Sequence, residues 1–159
     1  MSEPNKGAAN SRSHDADILA EASTMLQDCA CLHYALTELL GDAQRKAAAA
    51  QSSAHFRVLS AQLRAHSAKL GLVSTIRDAE LDVLSHRAPA LQALACADQT
   101  NALHHIALCE AEALRLMGQL CSTPGLSIGT RGMLLLVHRE LRQAPPTGSL
   151  AKGPPRSAL

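Results

Sequence analysis

Glu110 is the residue of this sequence whose surroundings most suggest chemistry. It lies in the stretch 101–121, where apolar side chains recur at alternating steps of three and four, the pattern of an amphipathic helix with one buried face. Burying an unpaired carboxylate on such a face costs several kcal/mol. We therefore expect Glu110 to be neutralised, hydrogen-bonded or bound to a cation. The predicted buried face consists of Leu103, Ile106, Glu110, Ala113, Met117 and Leu120.

Three other polar side chains are predicted to lie at the height of Glu110. Because every helical residue rises by the same amount, counting from the predicted turns places Cys29 level with His55, and Glu110 level with His138. His33, one helical turn after Cys29, extends this polar layer. The candidate metal ligands are Glu110, His138, His55 and Cys29, for a divalent metal such as Zn or Fe. Zinc is favoured because thiolate and imidazole outnumber carboxylate.

A structural role for the same layer is the alternative. Cysteine is among the residue types most often buried, and a histidine on an apolar face commonly finds a hydrogen-bond partner. Glu110 would then be paired with His138 or with Arg131. This alternative predicts a buried Glu–His contact that stabilises the fold and binds no metal.

Two antiparallel helices are predicted in the first half of the chain. The first begins at a cap supplied by Ser13 or Asp15 and ends near Gly41 and Asp42, since glycine commonly terminates helices. The second begins in the Ala-rich stretch after Asp42, so the short turn makes the two helices neighbours. The predicted inward residues are Ile18, Ala22, Met25, Cys29, Leu32, Leu36 and Leu39, then Ser52, Phe56, Leu59, Leu63, His66, Leu70 and Val73.

A second hairpin is predicted in the other half. Residues 71–96 contain a short helix from Ile76 to Ser85 and a break at Pro89, and we interpret them as the crossover between hairpins. The helix at 101–121 is followed by a Pro-Gly turn signal and by a last helix from about Ser127 to Gln143. The inward residues of that last helix are predicted to be Ile128, Leu134, Leu135, His138 and Leu141.

The predicted fold class is all-α, an antiparallel four-helix bundle of two hairpins joined by a helical crossover. The bundle domain spans 14–143. Residues 1–13, which are small and polar, and 144–159, which are rich in Pro and Gly, are predicted to be disordered.

The chain resembles a bacterial family of ferritin-like four-helix-bundle proteins of unknown function. The resemblance covers roughly 18–143 and depends on short stretches: Leu26-Gln27-Asp28, the spacing from there to His55, Leu70-Gly71, His86-Arg87 and Cys109-Glu110-Ala111-Glu112-Ala113-Leu114. It implies a ferritin-like fold with carboxylates and histidines at mid-height that hold two metal ions, characteristically through Glu-x-x-His pairs. This sequence contains no Glu-x-x-His, so the ligand set that the resemblance implies is incomplete.

Composition excludes several classes of function. The net charge of +1 and the lack of a basic stripe argue against nucleic acid and anionic membranes as partners. The polar N-terminus and the lack of a long apolar run predict no signal peptide and no membrane span, and hence a cytoplasmic protein. The five cysteines are an odd number on helical segments, so we expect reduced thiols.

The leading hypothesis for function is a scaffold or interaction module without catalysis that binds a protein partner or a second copy of itself. The first alternative is a metal-binding or stress-protection protein that uses the polar layer. The second is phosphotransfer through His66, because His66 and Lys69 have the His-x-x-Lys spacing of histidine phosphotransfer domains. In this sequence Gly71 follows one place later than that family's glycine.

Overall fold

The computed structural model describes residues 6–72, 84, 86–96, 98–145 and 147. Within these ranges the chain forms five α-helices and no strand, which confirms the prediction of an all-α protein. The helices are α1 (Lys6–Leu39), α2 (Ala43–Lys69), α3 (Arg87–Ala95), α4 (Gln99–Cys121) and α5 (Ile128–Gln143). None of the five is both long and apolar enough to cross a membrane.

Small side chains join α1 to α2 as an antiparallel hairpin. Asp42 caps α2 by accepting from the Arg45 amide at 2.8 Å, which fixes the direction in which α2 leaves the turn. Farther along, Ser53 Oγ donates to the Ala30 carbonyl at 2.8 Å. The Ser60 hydroxyl donates to the Ser23 carbonyl at 2.9 Å. Because residue numbers rise on one helix as they fall on the other, α1 and α2 run in opposite directions.

α4 and α5 form the second antiparallel hairpin. Ser127 caps α5 through its hydroxyl, which accepts from the Thr130 amide, and Gly125 takes a positive φ of 81° in the turn before it. Near the C-terminal end of α4, a Cβ built on Gly118 would lie 3.6 Å from Nε2 of His138. The two helices therefore pack closely at this point. α1 also packs against α3 and α4, and α2 and α5 share a smaller contact.

Asp15 fastens the two hairpins together at one end. Its carboxylate is 3% exposed and accepts from the Ser127 amide at 3.2 Å and from the Ser127 hydroxyl at 2.5 Å. It also accepts from the Thr130 hydroxyl at 2.8 Å. A residue of α1 thus completes the N-terminal cap of α5, where the helix dipole favours a negative charge.

The predicted buried faces of α1 and α4 agree well with the structure. On α4, five of the six predicted positions are buried and Glu110 is partly buried. On α2, Phe56, Leu59 and Leu63 are buried as predicted, whereas Leu70 is 39% exposed and Val73 lies outside the described residues. Both hairpins contribute to one core, whose largest fully buried side chains are Leu19, Met25, Leu26, Leu32, Leu36, Leu40, Leu59, Leu63, Leu84, Ile106, Met117 and Leu134.

The predicted inward face of α5 was wrong at two positions. Ile128 is 93% exposed and Leu135 is 50% exposed, whereas Thr130, Leu134 and Val137 are buried. The Ser127 cap places Ile128 as the first helical residue, and the bond from Asp15 turns Thr130 toward α1. Thr130 is polar and yet lies inward, because its hydroxyl donates to the buried carboxylate of Asp15.

The predicted break at Pro89 was also wrong. Pro89 is the third residue of α3, which begins at Arg87 and continues to Ala95. Proline is tolerated in the first turn because the amide it lacks would have no partner inside the helix. The predicted helix from Ile76 to Ser85 lies almost wholly outside the described residues.

The N-terminal boundary differs from the expected one. The sequence places the start of the first helix near residue 14, whereas α1 begins at Lys6. The added residues include Gly7, which disfavours a helix, but they contain no proline, and Ala8 and Ala9 have high helix propensity.

Candidate functional site

Glu110 is paired with His33 and Thr147. Its Oε1 lies 2.6 Å from Nε2 of His33, whose side chain is 1% exposed while that of Glu110 is 16% exposed. Its Oε2 accepts from the Thr147 amide at 2.9 Å. The Thr147 hydroxyl contacts Oε1 as well and lies 2.9 Å from Nε2 of His33. The expectation that Glu110 is hydrogen-bonded is met, with His33 and Thr147 as its partners.

The hydrogen bonds indicate which groups of this cluster donate and which accept. Nδ1 of His33 lies 2.7 Å from the Cys29 carbonyl, which can only accept, so Nδ1 carries a proton. Thr147 donates its amide to Glu110, so the carboxyl group acts as an acceptor there. The short contact between Oε1 of Glu110 and Nε2 of His33 is a hydrogen bond that joins the two side chains. The cluster is a buried His–Glu contact with a threonine bonded to it.

Packing from three helices orients His33. Its bond to Cys29 spans one turn of α1, so the local helical geometry sets the direction of the ring. Phe56 of α2 packs against the ring with centroids 5.0 Å apart. Glu110 approaches from the middle of α4, and the contact holds α4 against the C-terminal third of α1.

The neighbouring thiols are unsuited to nucleophilic chemistry. Burial raises the pKa of Cys29 well above its usual value, and the charges of nearby Cys109, Glu110 and Asp28 raise it further. Burial likewise raises the pKa of Cys109 to about 11, with added effects of Glu112 and Glu110. A thiol is reactive as its thiolate, so both groups are inert near neutral pH.

A cleft of about 840 Å³ opens beside the cluster. Its walls are formed by residues 48–58 of α2, residues 107–114 of α4, and the end of α5 with the residues that follow it, including Thr147. Most of the lining is apolar, and Glu110 and His55 are among the polar groups. This size and composition are typical of sites that bind small molecules or segments of chain.

The structure does not gather the four predicted ligands into one site. The Ser53–Ala30 bond places Cys29 and His55 at about the same height. His55, however, lines the cleft and has a shielded Nε2 without a hydrogen-bond partner, while Cys29 is buried in the core. Over the described ranges no three His, Cys, Asp or Glu side chains lie close enough together to hold a metal ion.

His138 lies level with Gly118 and not with Glu110. The six residues between α4 and α5 are not helical, and extended residues advance about 3.3 Å each where helical residues advance about 1.5 Å. The sequence-based estimate gave these loop residues the helical rise. It therefore places His138 about two helical turns along the helix axis from its actual position. The predicted Glu110–His138 pair is absent for this reason.

Nε2 of His66 is not accessible for phosphotransfer. This nitrogen is buried without a hydrogen-bond partner. The ring faces α5, where a Cβ on Gly129 would come within 3.9 Å of Cε1. A phosphotransfer histidine needs an accessible nitrogen, so this geometry argues against the second alternative.

Sequence reasoning missed Thr147 as a member of the cluster. It lies in the Pro-Gly-rich stretch that the sequence assigns to a disordered tail, yet it is 2% exposed. The only signal was a lone threonine after two prolines, which does not indicate a buried partner. His33 was included in the polar layer, but its pairing with Glu110 was not foreseen.

Comparisons with known protein families, with curated proteins and with solved structures found no match to this chain. The resemblance to ferritin-like proteins therefore stays a prediction.

Proposed function

We propose that this protein is a ferritin-like four-helix bundle that acts as a non-catalytic interaction module, binding a second copy of itself through the outer face of α5. The observation that carries this proposal is the exposure of large apolar side chains on one helix. Ile128 is 93% exposed, Leu135 is 50% exposed and Leu136 is 41% exposed.

The arrangement of the helices supports the proposal of a four-helix bundle. Two antiparallel hairpins contact each other through α1 and α4 and through α2 and α5, with α3 packed on α1 and α4. The His33–Glu110 contact joins α1 to α4. It brings together one carboxylate and one histidine, and within the described residues no third ligand lies close enough to complete a metal site, which fits a structural role.

The position of the apolar face supports self-association. Ile128 and Leu135 are seven residues apart, so they lie on the same side of α5, with Gly132 between them. A glycine at this place lets a second helix approach closely. Burying side chains of this size contributes roughly 1.5–3 kcal/mol each.

Sedimentation velocity over a wide range of protein concentrations tests the proposal. We expect a concentration-dependent dimer, and we expect Leu135→Glu to shift it to monomer because the charge would be buried at the contact. Leu91→Glu is the matched control, since Leu91 is 42% exposed on α3 and outside the proposed face. A wild-type protein that stays monomeric throughout would overturn the proposal, as would equal dissociation by both variants.

A further inference from the structure

The cleft between α2, α4 and α5 is open because small side chains line its walls. Ala48 and Ala54 lie on the α2 wall, and Ala107 and Ala111 lie on the α4 wall. Protein interiors are normally close-packed, and facing helices fill the space between them with larger side chains. The cleft volume of about 840 Å³ therefore depends on these alanines.

Larger apolar side chains complete the lining of the cleft. They include Val58 of α2, Leu114 of α4 and Leu141 of α5. Val58 is 54% exposed, so part of this apolar surface faces water. A ligand with an apolar body would remove such surface from water, which is favourable. Pockets that bind small molecules commonly have volumes of about 300–1,000 Å³ and a few polar groups in a mainly apolar lining.

His55 supplies a polar group that lacks a partner. Its side chain is partly buried and lines the cleft, and among the described residues its shielded Nε2 has no hydrogen-bond partner. Leaving a buried nitrogen unpaired costs free energy. Rotation of the ring about its Cβ–Cγ bond can turn this nitrogen toward a ligand, since that torsion has broad minima in histidine. A bound molecule can therefore gain a hydrogen bond at His55.

We propose that the cleft binds a small apolar molecule that has a hydroxyl group and no net charge. The apolar body packs against the alanine walls, and the hydroxyl bonds to Nε2 of His55. A histidine nitrogen donates or accepts according to its tautomer, and a hydroxyl does either, so the bond forms with both tautomers. This binding site is additional to the proposed self-association and does not depend on it.

The charged groups of the lining disfavour an acidic ligand. The carboxyl groups of Glu110 and Glu140 line the cleft, and they would repel a ligand carboxylate because like charges repel. Arg142 also lines the cleft, but its side chain is exposed, and water weakens the attraction of an exposed charge. Fatty acids are therefore poor ligands for this cleft, although their chains would suit the apolar walls.

Titrations with 2-naphthol and naphthalene, followed by NMR, test this proposal, because the two probes share one aromatic body and differ in a hydroxyl. We expect both probes to shift the amide signals of Ala107 and Ala111. The ratio of the dissociation constants of naphthalene and 2-naphthol measures the preference for the hydroxyl. His55→Leu should lower this ratio about fivefold, since it removes one hydrogen bond.

His105→Leu is the matched control for His55→Leu and should keep the wild-type ratio. Like His55, His105 has a shielded ring nitrogen without a partner among the described residues. It lies on α4 and does not line the cleft. A change of the ratio in His55→Leu alone would therefore place the hydroxyl at His55.

Substitutions on the walls test the location of the site. Ala107→Leu should abolish the amide shifts that both probes cause at Ala111, because its larger side chain fills the space. Ala61→Leu, at an exposed position of α2 outside the cleft, should keep them. We expect 2-naphthoate to bind more weakly than 2-naphthol.

Four results would contradict the proposal. They are a wild-type protein that binds neither probe, an unchanged ratio in His55→Leu, wild-type binding of both probes by Ala107→Leu, and tighter binding of 2-naphthoate than of 2-naphthol. The last result would assign the cleft to an acidic ligand instead.

Discussion

A carboxylate inside a helical core needs a specific partner, and in this protein that partner is His33. The pair is buried on one side and reaches the cleft on the other. Removing one member of a buried ion pair is more harmful than removing both, because the remaining charge keeps its desolvation cost. The contribution of the pair to the free energy of unfolding can therefore be measured by comparing a single variant with the double variant.

We expect His33→Phe to lower the free energy of unfolding by about 3 kcal/mol, since the carboxyl group of Glu110 would be left partly buried without its hydrogen-bond partner. The measurement is urea denaturation followed by circular dichroism. The double variant His33→Phe/Glu110→Leu should be more stable than His33→Phe alone. A double variant whose loss equals the sum of the two single losses would show that the side chains do not interact.

The thiol of Cys109 predicts a loss of stability at alkaline pH. Its pKa is raised from the ordinary value of 9.0 to about 11 in the folded protein. As the pH rises from 9 to 11, the unfolded chain releases the proton and the folded chain keeps it, so unfolding becomes more favourable. The expected decline is about 2 kcal/mol.

Urea denaturation at several alkaline pH values checks this expectation. Cys109→Ala should show a shallower decline than the wild type over that range, whatever its stability at neutral pH. Cys31→Ala, at an exposed thiol, should keep the wild-type decline. Parallel declines in the wild type and Cys109→Ala would rule out Cys109 as the cause.

At the scale of the elements, the ends of the helices are fixed by side chains from near and far. Asp42 caps its own helix, whereas Asp15 completes the cap of α5 from α1. A local cap can be recognised in a sequence because donor and acceptor are three residues apart. A cap supplied from 112 residues away has no such signature.

We expect Asp15→Ala to destabilise the protein by about 2–3 kcal/mol, because two buried hydroxyls and an amide lose their acceptor. Asp42→Ala, at an exposed cap, should cost about 1 kcal/mol. Hydrogen exchange measured by mass spectrometry gives a second test. Asp15→Ala should raise exchange in the first turn of α5, which lies far from the substitution in sequence, and Asp42→Ala should not.

The helices themselves could be predicted well from the sequence, and the polar contacts could not. Apolar periodicity determines which side of α1 and α4 is buried, since that side must leave water. His138 was misplaced because loop residues do not rise like helical residues. Thr147 was missed because its burial depends on partners that lie 37 and 114 residues away.

At the scale of the whole molecule, the reactivity of the five cysteine thiols can be used to measure opening of the core. Cys29, Cys109 and Cys121 are buried in it, whereas Cys31 and Cys96 are exposed. Cys29 and Cys31 are two positions apart, so they point to opposite sides of α1. The sequence placed Cys29 on the inward face of its helix, and it is buried.

We expect two thiols to react at once with a disulfide reagent such as dithionitrobenzoate, and three to react only as the protein unfolds. The number of fast groups is read from the absorbance of the released thiolate. Cys31→Ser should lower the fast count by one, and Cys29→Ser should leave it unchanged. A fast count above two in the wild type would contradict the packing of the core.

The serine contacts within α1 and α2 join residues 23 and 37 positions apart, whereas His33–Glu110 and Asp15–Ser127 join residues 77 and 112 apart. Closing a longer loop costs more entropy and slows the formation of a contact. We therefore expect the first hairpin to assemble early and its docking to α4 and α5 to limit the folding rate. Substitutions at Ser53 should change that rate through the hairpin, while substitutions at Asp15 should act mainly on the rate of unfolding.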